Sequence, residues 1–145
     1  MDEEKIFDMV ERCVADAVLA LENEIPFIPF AKVLETGGDI RDITCDMPEQ
    51  TRCYEALLAR LRAEAKMGDI EAIALCARVN IPEHYHPDAS NGIRVHLEER
   101  AKAGQKVSAR LLYVPYELFG SKNKAQVTVM LHQPLSIGMP MEIFN

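Results

Sequence analysis

Apolar and polar positions recur with two different periods along this chain, and the change of period marks its elements. Residues 3–24 contain no Gly or Pro. Ile6, Phe7, Val10, Cys13, Val14, Ala17, Val18, Leu21 and Ile25 fall on one stripe about 140° wide at 100° per residue, which predicts a helix facing a core. Leu19 sits opposite, beside Asp8, Arg12 and Ala15, where a lone apolar side chain is incidental surface or a contact for a partner. Pro26 and Pro29 end the helix and favour extended backbone. FAKVLE then runs into Thr36-Gly37-Gly38-Asp39 and returns as IRDI, a hairpin whose glycines accept positive φ.

A second helical period follows. Asp46-Met47-Pro48-Glu49 has a capping-box spacing, Cys53, Tyr54, Leu57, Leu58, Leu61 and Ala65 form an apolar face, and Gly68 marks the end. Arg52, Glu55, Arg60 and Arg62 belong to its solvated side.

From residue 72 to 137 the period becomes two. Ile73, Leu75, Ala77, Val79 and Ile81 alternate with smaller or polar residues, and the same odd parity persists in Ile93, Val95 and Leu97, in Val107, Ala109, Leu111 and Tyr113, and in Val127, Val129 and Leu131. This predicts a meander with one buried face. Turns at 102–105 and 120–124 place Glu98 opposite Arg110, His96 opposite Leu112, and His132 beyond Leu112. His96 and His132 would then stand roughly 9.6 Å apart, too far to share a metal comfortably. The whole reads as a single α+β domain over 1–145, a five-stranded antiparallel sheet with two helices packed on its buried face, in the order α-β-β-α-β-β-β. An alternative packing lays the first helix across Ala72, Ala74 and Cys76, whose small side chains admit it.

PFAKV with its Gly-Gly turn, a helix, the small-residue strand AIAL and the later VPYEL together resemble small bacterial α+β proteins of uncharacterised activity. The element order is also similar to profilin-like and roadblock-like folds without their closing helix. That likeness concerns the fold and assigns no activity.

Length and composition agree with one ordinary globular domain: 145 residues, 48% apolar and 27% charged. No run of about 18 apolar residues is present to span a bilayer, and the acidic, amphipathic start lacks the pattern of a secretory signal. Cys13, Cys45, Cys53 and Cys76 have no CxxC or Cys/His ligand spacing and read as free thiols in a reducing, cytoplasmic setting. The net charge of −7 is uneven. Residues 1–24 carry eight acids and two bases, whereas 72–132 carry five acids and eight bases. Overall acidity argues against nucleic-acid binding. The basic sheet leaves a small anionic ligand open.

No GxSxG elbow, Walker loop, GxGxxG, HExxH or EF-hand pattern occurs, and no cofactor is expected. Three readings of function follow. The first is a non-enzymatic interaction or regulatory protein, homodimeric or bound to a protein partner through the outer sheet face of Arg78, Arg94, His96, Arg110, Leu112, Met130 and His132. The apolar tail with Met139, Met141 and Phe144 lies against the body or meets another subunit. The second is an acidic immunity- or antitoxin-like protein whose first helix, with Glu3, Glu4 and Glu11, meets a basic partner. The third is a metal-dependent hydrolase, with His84 and His86 projecting to one side of an extended loop as ligands.

Overall fold

The computed structural model describes residues 2–25, 27–47, 49–120 and 127–144, Asp2 by its backbone alone. Pro26, Pro48 and most of the turn expected at 120–124 lie outside the described residues. The chain runs through helix α1 (Asp2–Glu22), strands β1 (Phe30–Glu35) and β2 (Ile40–Ile43), helix α2 (Gln50–Met67), and strands β3 (Ile70–Asn80), β4 (Asn91–Glu99), β5 (Ala109–Phe119), β6 (Thr128–Leu131) and β7 (Leu135–Met139).

The predicted α+β class holds, and among the described residues there are two α-helices, as expected, but seven strands rather than five. The sheet order is β2-β1-β3-β4-β5-β6, with β7 also paired to β5. The two strands beyond five are β6 and β7, at the C-terminal edge. β5 is eleven residues long, and β6 and β7 pair antiparallel with its two ends in turn, β6 opposite residues 116–119 and β7 opposite residues 109–113. They form two halves of one edge strand, interrupted where Pro134 has no N–H to offer a ladder.

Local signals explain most boundaries. The β1–β2 turn closes with Gly38 N–H donating to the Glu35 carbonyl at 2.8 Å, and Gly38 takes the positive φ of 97° that a side chain would strain. Gly68 ends α2 in the left-handed region, its N–H on the Ala65 carbonyl. The start of α2 differs from expectation. Its N-cap is Glu49 rather than Asp46, and no side chain caps it.

The two helices lie on opposite faces of the sheet, not on one. Along α1 Met9, Cys13, Ala17 and Leu21 pack on Leu34, Ala72, Ala74, Cys76, Ile93 and Val95. Against the other face, Leu57, Leu61 and Ala65 of α2 pack on Ala31, Val33, Ile73, Leu75 and Ala109. The alternative packing of the first helix across the small residues of β3 is thus the one adopted. Ala72, Ala74 and Cys76 let α1 approach closely, while the larger Ile73 and Leu75 fill the α2 side.

The reason lies in the connections. Asn80 faces Asn91, and Glu98 faces Ala109. Ten residues separate each pair, so odd-numbered residues face even-numbered ones across both ladders. Residues directly opposite share a face, and the parity of the buried side therefore flips on entering β4 and flips back on entering β5. His96 pairs with Leu111 rather than Leu112, and Arg110 pairs with Leu97 rather than Glu98.

The candidate binding groove and the sealed opposite face

α1 buries only part of its apolar stripe. The row Met9, Cys13, Ala17 and Leu21 is turned into the core. A second row, Phe7, Val10, Val14 and Val18, faces a groove of about 960 Å³ whose floor is Val95 and Leu97 of β4 and Leu112 and Val114 of β5. Leu131, His132 and Pro134 edge its far side. Phe7 is 64% exposed, Leu19 58% and Leu131 43%, so large apolar side chains stand in solvent along its lip. Leu19 and Ala15, which the helical wheel sets on the polar side, border this groove.

Four carboxylates rim it: Glu3, Glu11 and Glu22 from α1, and Glu99 from the end of β4. Among the described residues the basic groups of the rim each meet an acid. Lys102 Nζ lies 2.9 Å from Glu99 Oε2, and His132 Nε2 lies 3.2 Å from Glu117 Oε1. Among the described residues no cation pairs with Glu3, Glu11 or Glu22.

The α2 face is sealed instead. Residues 140–144 follow β7 as a strap that buries Met141, Ile143 and Phe144 against α2 and the sheet. Buried Glu98 holds the strap. Its Oε1 accepts backbone N–H bonds from Ile143 (3.0 Å) and Phe144 (3.1 Å), while Oε2 accepts one from Glu142 (2.8 Å) and sits 2.6 Å from His96 Nε2. Burial pushes the Glu98 carboxyl up, but the hydrogen bonds from His96 and from these N–H groups outweigh it, and its pKa falls below the ordinary carboxylate value. Arg100 braces the same corner. Its Nε donates to the Ile70 carbonyl at 2.8 Å, a terminal nitrogen donates to the Ala65 carbonyl at 2.7 Å, and its guanidinium stacks 4.8 Å over the Phe144 ring. Met141 N–H and Arg62 Nε add bonds to Ser108 Oγ and the Glu142 carbonyl.

The expected outer face is therefore divided. Arg94 and His96 lie on the α2 side. His96 is buried, and the Arg94 guanidinium stands 5.2 Å over the Tyr54 ring. Leu112 lines the groove on the α1 side and His132 its edge. Arg110 is exposed on the same side as Leu112, with a terminal nitrogen 3.4 Å from Ser136 Oγ. Arg78 is exposed near the far end of β3. Met130 pairs with Glu117, one residue out of step with groove-lining Leu131, and so points to the other side of β6. The tail expected to lie against the body or to meet another subunit does the former through Met141, Ile143 and Phe144.

The His84/His86 loop is not the extended segment expected from the sequence. Glu83–Tyr85 forms a 3₁₀ turn, and His86 follows in the left-handed region at φ 53°, which breaks the alternation that an extended segment requires. The His84 ring packs 4.1 Å from that of Tyr85, which in turn lies 5.8 Å from Tyr113. Among the described residues no group of three or more His, Cys, Asp or Glu converges as a metal site would require.

Two further polar features are structural. Lys32, nearly buried between α1 and the hairpin, bridges Asp16 of α1 at 2.7 Å and Asp42 of β2 at 2.5 Å. Burial alone would lower its pKa, but these two carboxylates raise it above the ordinary lysine value. Cys13 is pushed up to about 12, chiefly by burial, which leaves the thiol protonated and a poor nucleophile at neutral pH.

Comparison of the chain with protein-family models, curated proteins and solved structures finds no match. Among the described residues no helix is long and apolar enough to cross a membrane.

Proposed function

We propose that this chain is a binding module that seats an apolar segment of a partner protein in the α1 groove. The observation that carries the reading is the second apolar row of α1, Phe7, Val10, Val14 and Val18, together with Val95, Leu97, Leu112 and Val114. These side chains form a trough about as large as known ligand sites, which this chain's own described residues leave open. An exposed apolar concavity on a soluble-type domain marks an interaction site. The reading keeps the expectation of a non-enzymatic interaction protein and moves its surface from one whole sheet face to the groove. It also joins the expectation of an acidic protein whose first helix meets a basic partner, since α1 supplies both the apolar wall and most of the acidic rim. A metal-dependent hydrolase receives no support from the His84/His86 turn.

Photo-crosslinking in cells tests it. Benzoylphenylalanine replacing Phe7 or Leu131 is expected to give one defined protein adduct, whereas the same group replacing Met67, 74% exposed at the end of α2, gives none. Equal labelling from all three positions, or adducts from Met67 alone, overturns the reading.

A further inference from the structure

We infer that the partner segment is a basic amphipathic helix. The inference rests on the groove reading above and adds the chemistry of its occupant. Charge is the first argument. Among the described residues the groove's basic side chains, Lys102 and His132, already face Glu99 and Glu117, and what the rim offers an incoming chain is Glu3, Glu11 and Glu22. Lys or Arg flanking an apolar face would meet these carboxylates, whereas an acidic segment would be repelled. The same argument disfavours two other occupants. A second copy of this chain carries a net charge of −7 and would bring a similarly acidic α1, and an anionic lipid surface would oppose the same rim.

Shape is the second argument. The lining residues extend along α1 from Glu3 to Glu22, roughly 28 Å at 1.5 Å per residue, which is the length of a five-turn helix. Phe7, Val10, Val14 and Val18 follow one another at three- and four-residue spacing, a ridge of the kind that interdigitates with the ridges of a second helix. A helix laid in a hydrophobic groove by its apolar face is an established mode of recognition.

Three synthetic 18-residue peptides test this, with one shared Leu/Ala apolar face and polar flanks of Lys, Gln or Glu, read by fluorescence anisotropy against the full chain. The Lys peptide is expected to bind at least tenfold more tightly than the Glu peptide at low salt, with the gap shrinking as ionic strength rises. The double variant Glu11→Lys/Glu22→Lys is expected to reverse the order. Both positions are on the solvated edge of α1, and an unchanged thermal melt verifies the fold. Equal affinity for all three peptides overturns the basic-helix inference and leaves the groove reading standing. Failure of every peptide to bind, alongside tight uptake of a fluorescent fatty acid, overturns both and gives the groove to a small apolar ligand. A dimer in sedimentation that Val14→Asp dissociates overturns both in favour of a second copy.

Discussion

The two faces of the sheet are finished by opposite means. On one, α2 and the 140–144 strap close over Ile73, Leu75 and Ala109, and a buried carboxylate is committed to holding the strap down. On the other, α1 buries Met9, Cys13, Ala17 and Leu21, while Val10, Val14 and Val18 of the neighbouring row pack on that core only partly buried and line a groove. The same residue type shows the contrast: Phe144 is 8% exposed and Phe7 64%. A chain that can seal one face so thoroughly has the means to seal both. On the proposed reading the open half is a surface for a partner rather than a defect of folding.

The largest test of this contrast is Glu98→Ala. The carboxylate is fully buried and receives three backbone N–H groups and His96. Removing it leaves all four without their acceptor in a dry site, a loss expected to cost about 3–5 kcal/mol. Urea denaturation should show this as a fall in midpoint. Fast amide exchange at Glu142, Ile143 and Phe144 would be the specific sign that the strap has lifted. A loss below about 1 kcal/mol would mean that apolar packing alone holds the strap.

The two phenylalanines give the next test. Phe144→Ala removes a ring from the α2 core and from beneath the Arg100 guanidinium, with an expected cost of about 3 kcal/mol. Phe7→Ala removes a ring that stands mostly in water, and should change stability by no more than about 0.5 kcal/mol. If Phe7→Ala destabilised the isolated protein as much as Phe144→Ala, the groove would be part of the core and not a binding surface. Thermal melts of the two variants side by side decide it.

How far the sequence foreshadows these faces depends on the range of the interaction. Elements set by local periodicity were legible: α1, α2, the Gly37-Gly38 hairpin and the Gly68 stop all follow from neighbouring residues. Which face each strand buries was not, because that depends on the exact number of residues between facing positions. An even count in both connections turned His96 and Glu98 inward and gave the groove Val95 and Leu97 instead. The strap's partner was hidden for the same reason, since Glu98 and Phe144 are 46 residues apart. One signal of the groove was present. The α1 stripe is wider than the roughly 100° that a core-facing helix needs, and its surplus edge carries the residues that face the groove.

Acid titration sharpens the comparison at the smallest scale. Because the folded-state pKa of Glu98 lies below its ordinary value, its contribution to stability is fully present above the unfolded-state pKa and is lost as the pH falls through the folded one. The proton that then binds places a donor where the carboxylate had accepted bonds from the strap and His96. Glu98→Gln keeps the shape but cannot ionise, and its amide nitrogen is another donor among donors. It should be less stable than the parent at pH 7. The difference should narrow as both are brought down through the carboxylate range, since the parent loses an interaction that the variant already lacks. Comparison with the variant cancels the parallel loss from Glu64, whose pKa is held down mainly by its hydrogen bond with Arg41. Urea midpoints at a series of pH values measure the gap. If it stayed constant into strong acid, the charge on Glu98 would contribute nothing to the strap, and the sealing of the α2 face would rest on Met141, Ile143 and Phe144 alone.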